Sequence, residues 1–156
     1  MKIKISHRNS FYLCGYMTET CLESCKEDFD ALWRTYESKK ENLFQLFGRK
    51  KDFYGLMWYT QLHRYCYLIG IEVNDDKKTP KGAVCRHVPS SLYAVAAIPA
   101  GTPATDAWTE FFEVALPSLG YRPDAEHGLY FEYYPSGENG DYELWTPVIL
   151  SILTQF

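Results

Sequence analysis

Glu132 interrupts an aromatic run. The stretch LYFEYYPSGENGDYELW, Leu129 to Trp145, is rich in Tyr, Phe and Trp and sets one carboxylate between Phe131 and Tyr133. A carboxylate walled by rings has defined chemistry. Loss of water disfavours its charged form and raises its pKa. Ring faces and the carboxylate together attract flat or lipophilic cations. Beside a hydrogen-bonding tyrosine the same group can activate a water as general base. These residue types therefore serve a ligand sensor and a hydrolase equally.

Strand alternation puts Tyr130, Glu132 and Tyr134 on one face and Phe131 and Tyr133 on the other. In the following run Glu143, Trp145 and Pro147 alternate with Tyr142, Leu144 and Thr146. Both faces are mixed. Periodicity leaves Glu132 as either an exposed strand carboxylate or the floor of a pocket. Tyr67, Trp58, Tyr16 and Tyr93 fall on strand-like runs that would line a cleft, and each also reads as core filler. Trp108 and Trp33 lie on apolar helix faces, where a tryptophan packs on a sheet or walls a pocket. Glu143 is a second cleft carboxylate or a solvated edge residue.

Other chemistries find little to work with. His7, His63, His87 and His127 are scattered without paired-ligand spacing. Cys21 and Cys25 are one helical turn apart, but no second Cys or His pair follows, so no metal site and no cofactor are expected. GENGD is a hairpin turn with no helix after it, not a phosphate loop. No cluster of positive groups adjoins the cysteines to activate them. A net charge of −4 argues against a general affinity for nucleic acid, and Arg49, Lys50 and Lys51 read as a solvated turn.

The chain of 156 residues is long enough for one domain with a full core. Aromatics make up 17% of it, which favours ring-lined concave surfaces. The N-terminus lacks a long apolar stretch, no apolar run approaches the ~20 residues of a membrane helix, and five cysteines form no dense framework. A reduced, cytoplasmic setting is expected.

The elements that must position Glu132 recur twice. Residues 2 to 18 are extended in two pieces. Phe29, Leu32, Trp33, Tyr36, Leu43, Phe44 and Phe47 then recur at three- and four-residue spacing, which predicts a helix over 27–47 ended by Gly48. Strands follow at Phe53 to Tyr59 and Tyr65 to Val73. Residues 74 to 90, opening on NDDKKTPKG, are expected as a linker. A strand at Leu92 to Ile98, a helix over 106–116 capped by Asp106, and strands at Leu129 to Tyr134 and Tyr142 to Val148 complete the second half. The expected fold is α+β. Two βαββ modules, about 1–73 and 91–150, would share an antiparallel sheet in pseudo-twofold arrangement, with two main helices and a central cleft.

The pieces FYLCGY, FYGLM and YLIGIEV in the first half, with VPSSLYAVAAIPAG, WTEFFEVALPSLGYRP, FEYY and ELWTPV in the second, resemble the GyrI-like small-molecule-binding domain family. This is also the effector-binding domain of AraC- and MerR-type multidrug regulators. The likeness covers nearly the whole chain and rests on order and spacing. It implies two βαββ modules around a hydrophobic cleft, with Glu132 at the cleft floor. Members of the family include drug-sensing regulators, the gyrase inhibitor and hydrolases of cyclopropane-containing natural products. The first strand begins at residue 2, so direct DNA binding is not expected. The first reading is a stand-alone binder of hydrophobic or aromatic compounds, cations among them. Ligand contacts are expected from Glu132, Tyr134, Trp145, Trp58, Tyr16, Tyr93, Trp108 and Glu143. The other readings are a hydrolase with Glu132 as base and Tyr67 as acid or orienter, and an interaction module for a partner such as gyrase.

Overall fold

In a computed structural model, residues 1–75 and 78–151 are described. The aromatic and β-branched runs form one antiparallel sheet from strands β1 (Ile3–Arg8), β2 (Phe11–Cys21), β3 (Phe53–Gln61), β4 (Arg64–Val73), β5 (Val84–Val88), β6 (Ser91–Ile98), β7 (Tyr121–Pro123), β8 (Tyr130–Tyr134) and β9 (Tyr142–Leu150). Helix α1 (Cys25–Phe47) and helix α2 (Ala104–Glu110) pack on one face of it. The sheet order is β1-β6-β9-β8-β3-β4-β2-β5, with β7 attached to β9. The α+β class and the two-helix, antiparallel architecture are as expected.

The second half has two strands more than the sequence suggests, β5 and β7. The stretch 74–90, expected as a linker, carries β5, which pairs with β2; positions 76 and 77 of it lie outside the described residues. Apart from the short β7, the repeat is ββαββ, and the two copies exchange their first strands. β1 pairs with β6 of the second half, and β5 pairs with β2 of the first. The registers repeat as well: Arg8 faces Ser91 where β1 meets β6, and Phe11 faces Val88 where β2 meets β5. β1 is the first of the two extended pieces expected over residues 2 to 18, whereas β5, five residues of mixed polarity, lacks the length and apolar content that mark a central strand.

The halves join at β3 and β8. Five residue pairs connect these strands, and the middle pair is Gly55 with Glu132. The pseudo-twofold axis runs through that pair, so Gly55 is the counterpart of Glu132.

Both faces of the sheet bury a core. Arg8, at the end of edge strand β1, donates to the Tyr54 hydroxyl on β3 (3.0 Å) and to Glu72 on β4 (2.7 Å). Strands β1 and β4 are separated by four others in the sheet, so the sheet curls until its halves nearly meet. The concave side encloses Phe11, Leu13, Tyr54, Leu68, Tyr93 and Phe131. On the convex side α1 buries Leu32, Tyr36, Leu43 and Phe44 against β2 and β4. Near its end Arg49 lies exposed and pairs with Glu41, in the solvated turn that was expected.

The second helix departs from a plain 106–116 segment. It starts at Ala104 after Pro103, without a side-chain cap from Asp106. From Phe111 to Ala115 it widens into a π-helical turn, closed by the Leu116 N–H on the Phe111 carbonyl (2.9 Å). Pro117–Leu119 tightens into a 3-10 turn that Gly120 ends at φ 76°. Among the described residues no helix is long and apolar enough to cross a membrane.

Candidate functional site

Glu132 lies on the helix-bearing side of β8 and is only 3% exposed. Its Oε1 accepts hydrogen bonds from the Tyr67 hydroxyl (2.6 Å) and the Tyr134 hydroxyl (2.8 Å). Its Oε2 accepts one from the Trp108 indole N–H (2.8 Å). Four elements meet here: β8 supplies Glu132 and Tyr134, β4 supplies Tyr67, α2 supplies Trp108, and β3 supplies Gly55. A β-carbon on Gly55 would stand 2.1 Å from the Tyr67 hydroxyl oxygen. Gly55 is thus the opening through which Tyr67, one strand further on, reaches the carboxylate across β3.

Partly exposed rings form a shell around this buried group. Phe29 of α1 lies 4.8 Å from the Tyr67 ring. The Trp108 indole is stacked on Phe112 at 5.2 Å and meets Tyr130 edge-on at 5.2 Å. Phe53, itself buried, is stacked on the partly exposed Tyr134 at 4.6 Å. A surface pocket of about 810 Å³ opens beside the shell, lined by Leu22, Glu23, Tyr59, Gln61, Leu62, His63 and Tyr65. Glu132 does not line it. The cavity expected to touch Glu132 is filled in this structure, because Trp108 and the two tyrosine hydroxyls occupy the space above the carboxylate.

Among the described residues, no ion pair involves Glu132. Burial pushes its carboxyl above the ordinary 4.5, and the three hydrogen bonds only partly offset this. Burial and the neighbouring Glu132 charge push the Tyr67 and Tyr134 phenols up, so both remain neutral donors. A stability effect follows. An acid whose pKa is higher folded than unfolded favours the fold when protonated, and that gain is lost as pH rises from about 4.5 through its folded pKa. Thermal unfolding should therefore show Glu132→Gln gaining stability relative to the unmutated protein as pH rises above 4.5. A difference that stays flat with pH would contradict the raised pKa.

Of the residues anticipated from sequence, Glu132, Tyr67, Tyr134 and Trp108 meet in one hydrogen-bonded cluster. Four others lie on the concave face, away from it. Trp145 is stacked on Phe131 and its indole N–H donates to Glu143 (2.9 Å). Tyr93 is fully buried and its hydroxyl lies 3.3 Å from the Pro89 carbonyl. Trp58 lies beneath the Arg86 guanidinium at 4.3 Å. Tyr16 is on the helix side, but it packs under α1 with its hydroxyl on the Lys39 carbonyl. Sequence reasoning did not single out Gly55, Phe29, Phe112 or Tyr130 as site residues. The signal for Gly55 was a glycine inside the aromatic run FYGLMWY. No cluster of three or more His, Cys, Asp or Glu side chains suited to a metal ion occurs among the described residues.

The structure of SAV2435 bound to tetraphenylphosphonium superposes with a TM-score of 0.75 at 18% identity, over 96% of this chain and 94% of that one. An integron cassette protein from Vibrio cholerae gives 0.73 at 17% identity, over 94% and 95%. A putative transcription regulation protein from Staphylococcus aureus MU50 gives 0.67 at 19% identity, over 95% and 98%. At these identities the likeness establishes the fold. No curated protein matches the sequence. The family profile of Cass2, described as integron-associated effector binding protein, matches residues 4–148. With nearly its whole length inside that match, the chain belongs to the integron-associated effector-binding family, a small-molecule-binding family of GyrI-like type.

Proposed function

We propose that this protein binds hydrophobic aromatic compounds, cations among them, in a cleft between α1 and α2 floored by Glu132. One observation carries the reading: a buried carboxylate held by three neutral donors, beneath partly exposed rings, with no cation of the described protein paired to it. Such a group attracts positive charge, and the rings add their quadrupoles. Phe29, Tyr67, Phe112, Tyr130 and Tyr134 are the walls, and the Trp108 side chain occupies the space between them. Membership of an effector-binding family supports the same reading.

The Tyr67–Glu132 hydrogen bond also pairs an acid with a base, as hydrolysis of a cyclopropane-bearing electrophile would require. Binding is favoured over that reading. A general base needs a lone pair aimed at water, and three donors already draw on the electron density of this carboxylate.

One titration separates the two. A hydrophobic aromatic cation and its neutral isostere are followed by tryptophan fluorescence, and each bound compound is recovered for mass spectrometry. The expected result is at least tenfold tighter binding of the cation and recovery of unchanged compound. Equal affinities would remove the role given to Glu132. A water-added product from a cyclopropane-bearing analogue, formed faster than in buffer, would favour hydrolysis.

A further inference from the structure

The two halves exchange strands along two seams, and one seam carries a pair of thiols. Where β5 meets β2, Cys85 stands directly opposite Cys14. The other seam has its counterpart. Val88 on Phe11 corresponds to Arg8 on Ser91, and counting the same steps along each seam sets Ile5 opposite Ala94 in the place of Cys85 and Cys14. Burial corresponds as well: Cys14 and Ala94 are fully buried, while Cys85 and Ile5 are partly buried. The fold therefore asks these positions only for an apolar pair. Two cysteines meet that need and add a reaction that Ile and Ala cannot give.

The geometry suits a bond. Directly opposed residues of antiparallel strands point to one face, with Cα atoms about 4.5–5.5 Å apart. A disulfide spans Cα separations of about 4.4–6.8 Å, so the backbone is already within range. The Cβ atoms have to close by up to about 1 Å. β5 can give that much, being a five-residue strand at the edge of the sheet with β2 as its neighbour. The two thiols are within hydrogen-bonding reach of each other, and both are reduced. The contact of Cys85 Sγ to the Asp75 carbonyl, at 4.0 Å, is long and holds it weakly. No other described strand pair sets cysteine against cysteine: Cys21 faces Arg64, and Cys66 faces Glu19 and Trp58.

We infer that Cys14 and Cys85 form a reversible disulfide that straps the exchanged strand β5 to β2, with a small disulfide such as oxidised glutathione as the oxidant. The inference is independent of the binding function proposed above. Cys85, the more exposed of the two, attacks one sulfur of the oxidant and releases one glutathione. Cys14 then attacks Cys85 Sγ in the mixed disulfide and releases the second. The two thiol protons and two electrons pass to the glutathione pair, and one S–S bond replaces another. Burial pushes the Cys14 thiol up to about 12, so the second step is slow at neutral pH and is favoured in mild alkali. The bond closes the long loop from residue 14 to residue 85, which carries α1, β3 and β4, and so restricts the unfolded chain.

The test starts with the unmutated protein, incubated folded at pH 8.5 with oxidised glutathione, alkylated, and cut with trypsin without reduction. Cleavage after Arg8, Lys26, Lys81 and Arg86 gives peptides 9–26 and 82–86. The first also holds Cys21 and Cys25, so fragmentation assigns the sulfur. The expected result is that most of peptide 82–86 is joined to peptide 9–26 through Cys14 and is released by dithiothreitol. The oxidised protein should unfold at a urea concentration about 1 M higher than the reduced one. Cys14→Ala with Cys85→Ile copies the packing of the other seam, and its urea midpoint should not respond to the oxidant. Cys85 that remains a thiol, stops at the glutathione adduct, or joins Cys21 or Cys25 overturns the pairing. A Cys14–Cys85 bond that leaves the midpoint unchanged or lowers it overturns the strap. A rise of equal size in the double variant assigns the effect to the other cysteines and overturns it as well.

Discussion

Glu132→Gln is expected to weaken binding of a hydrophobic aromatic cation by about a hundredfold, while the affinity for its neutral isostere stays within about threefold. The amide keeps the shape of the side chain and fits the existing partners. Its oxygen can accept from the Trp108 indole N–H, and its NH₂ can donate to a tyrosine hydroxyl, since hydroxyls accept as readily as they donate. The walls of the cleft therefore stay where they are and only the charge is lost. A desolvated ionic partner is worth a few kcal/mol when truncated, and the ring faces retain about 0.5–2 kcal/mol of cation attraction, so some preference should survive. Parallel titrations of both proteins with both ligands, at one salt concentration, give the four affinities required. If the cation preference is undiminished in Glu132→Gln, the charge partner lies elsewhere; Glu23, at the neighbouring pocket, would be the next carboxylate to change.

The centre of the site was legible because Glu132 is a chemical exception in its strand: a charge among rings requires either water or partners. Its surroundings were only half legible, for a physical reason. Alternation reports two faces but not which is wet, and this sheet has no wholly wet face. The curl makes the concave side a core of its own, so Trp145, Tyr93 and Trp58 alternate as regularly as Tyr67 and Tyr134 do. The four residues of the cluster share the helix side, and only register across β3, β4 and β8 reveals that. The helices were legible from their three- and four-residue spacing, but a π turn leaves the apolar spacing of α2 close to helical and so escaped notice. The exchanged edge strands were not legible as partners. Which strand β1 or β5 joins depends on the other half of the chain, and no local pattern records it.

Gly55→Ala should cost about 3 kcal/mol of stability, against the usual direction for replacing a strand glycine. An added methyl normally narrows the unfolded ensemble and stabilises by about 0.4–1 kcal/mol where there is room. Here there is none: the new β-carbon would lie 2.1 Å from the Tyr67 hydroxyl oxygen, 2.6 Å from its Cζ and 3.0 Å from Glu132 Oε1. Tyr67 must swing aside, and the hydrogen bond it gives the buried carboxylate is lost. The cause can be isolated in a double-mutant cycle with Tyr67→Phe. Removing the hydroxyl removes the worst contact and leaves the one with Cζ, so Gly55→Ala should be about 1 kcal/mol cheaper in the Tyr67→Phe background. Gly15→Ala provides the contrast. Its β-carbon would meet the backbone carbonyl oxygen of Ile69 at 2.0 Å, a contact that no side-chain truncation relieves, so its cost should be the same in both backgrounds. Denaturant unfolding of these variants gives the coupling directly. If Gly55→Ala costs equally with and without the Tyr67 hydroxyl, then position 55 is a glycine for some reason other than the passage of Tyr67 to Glu132.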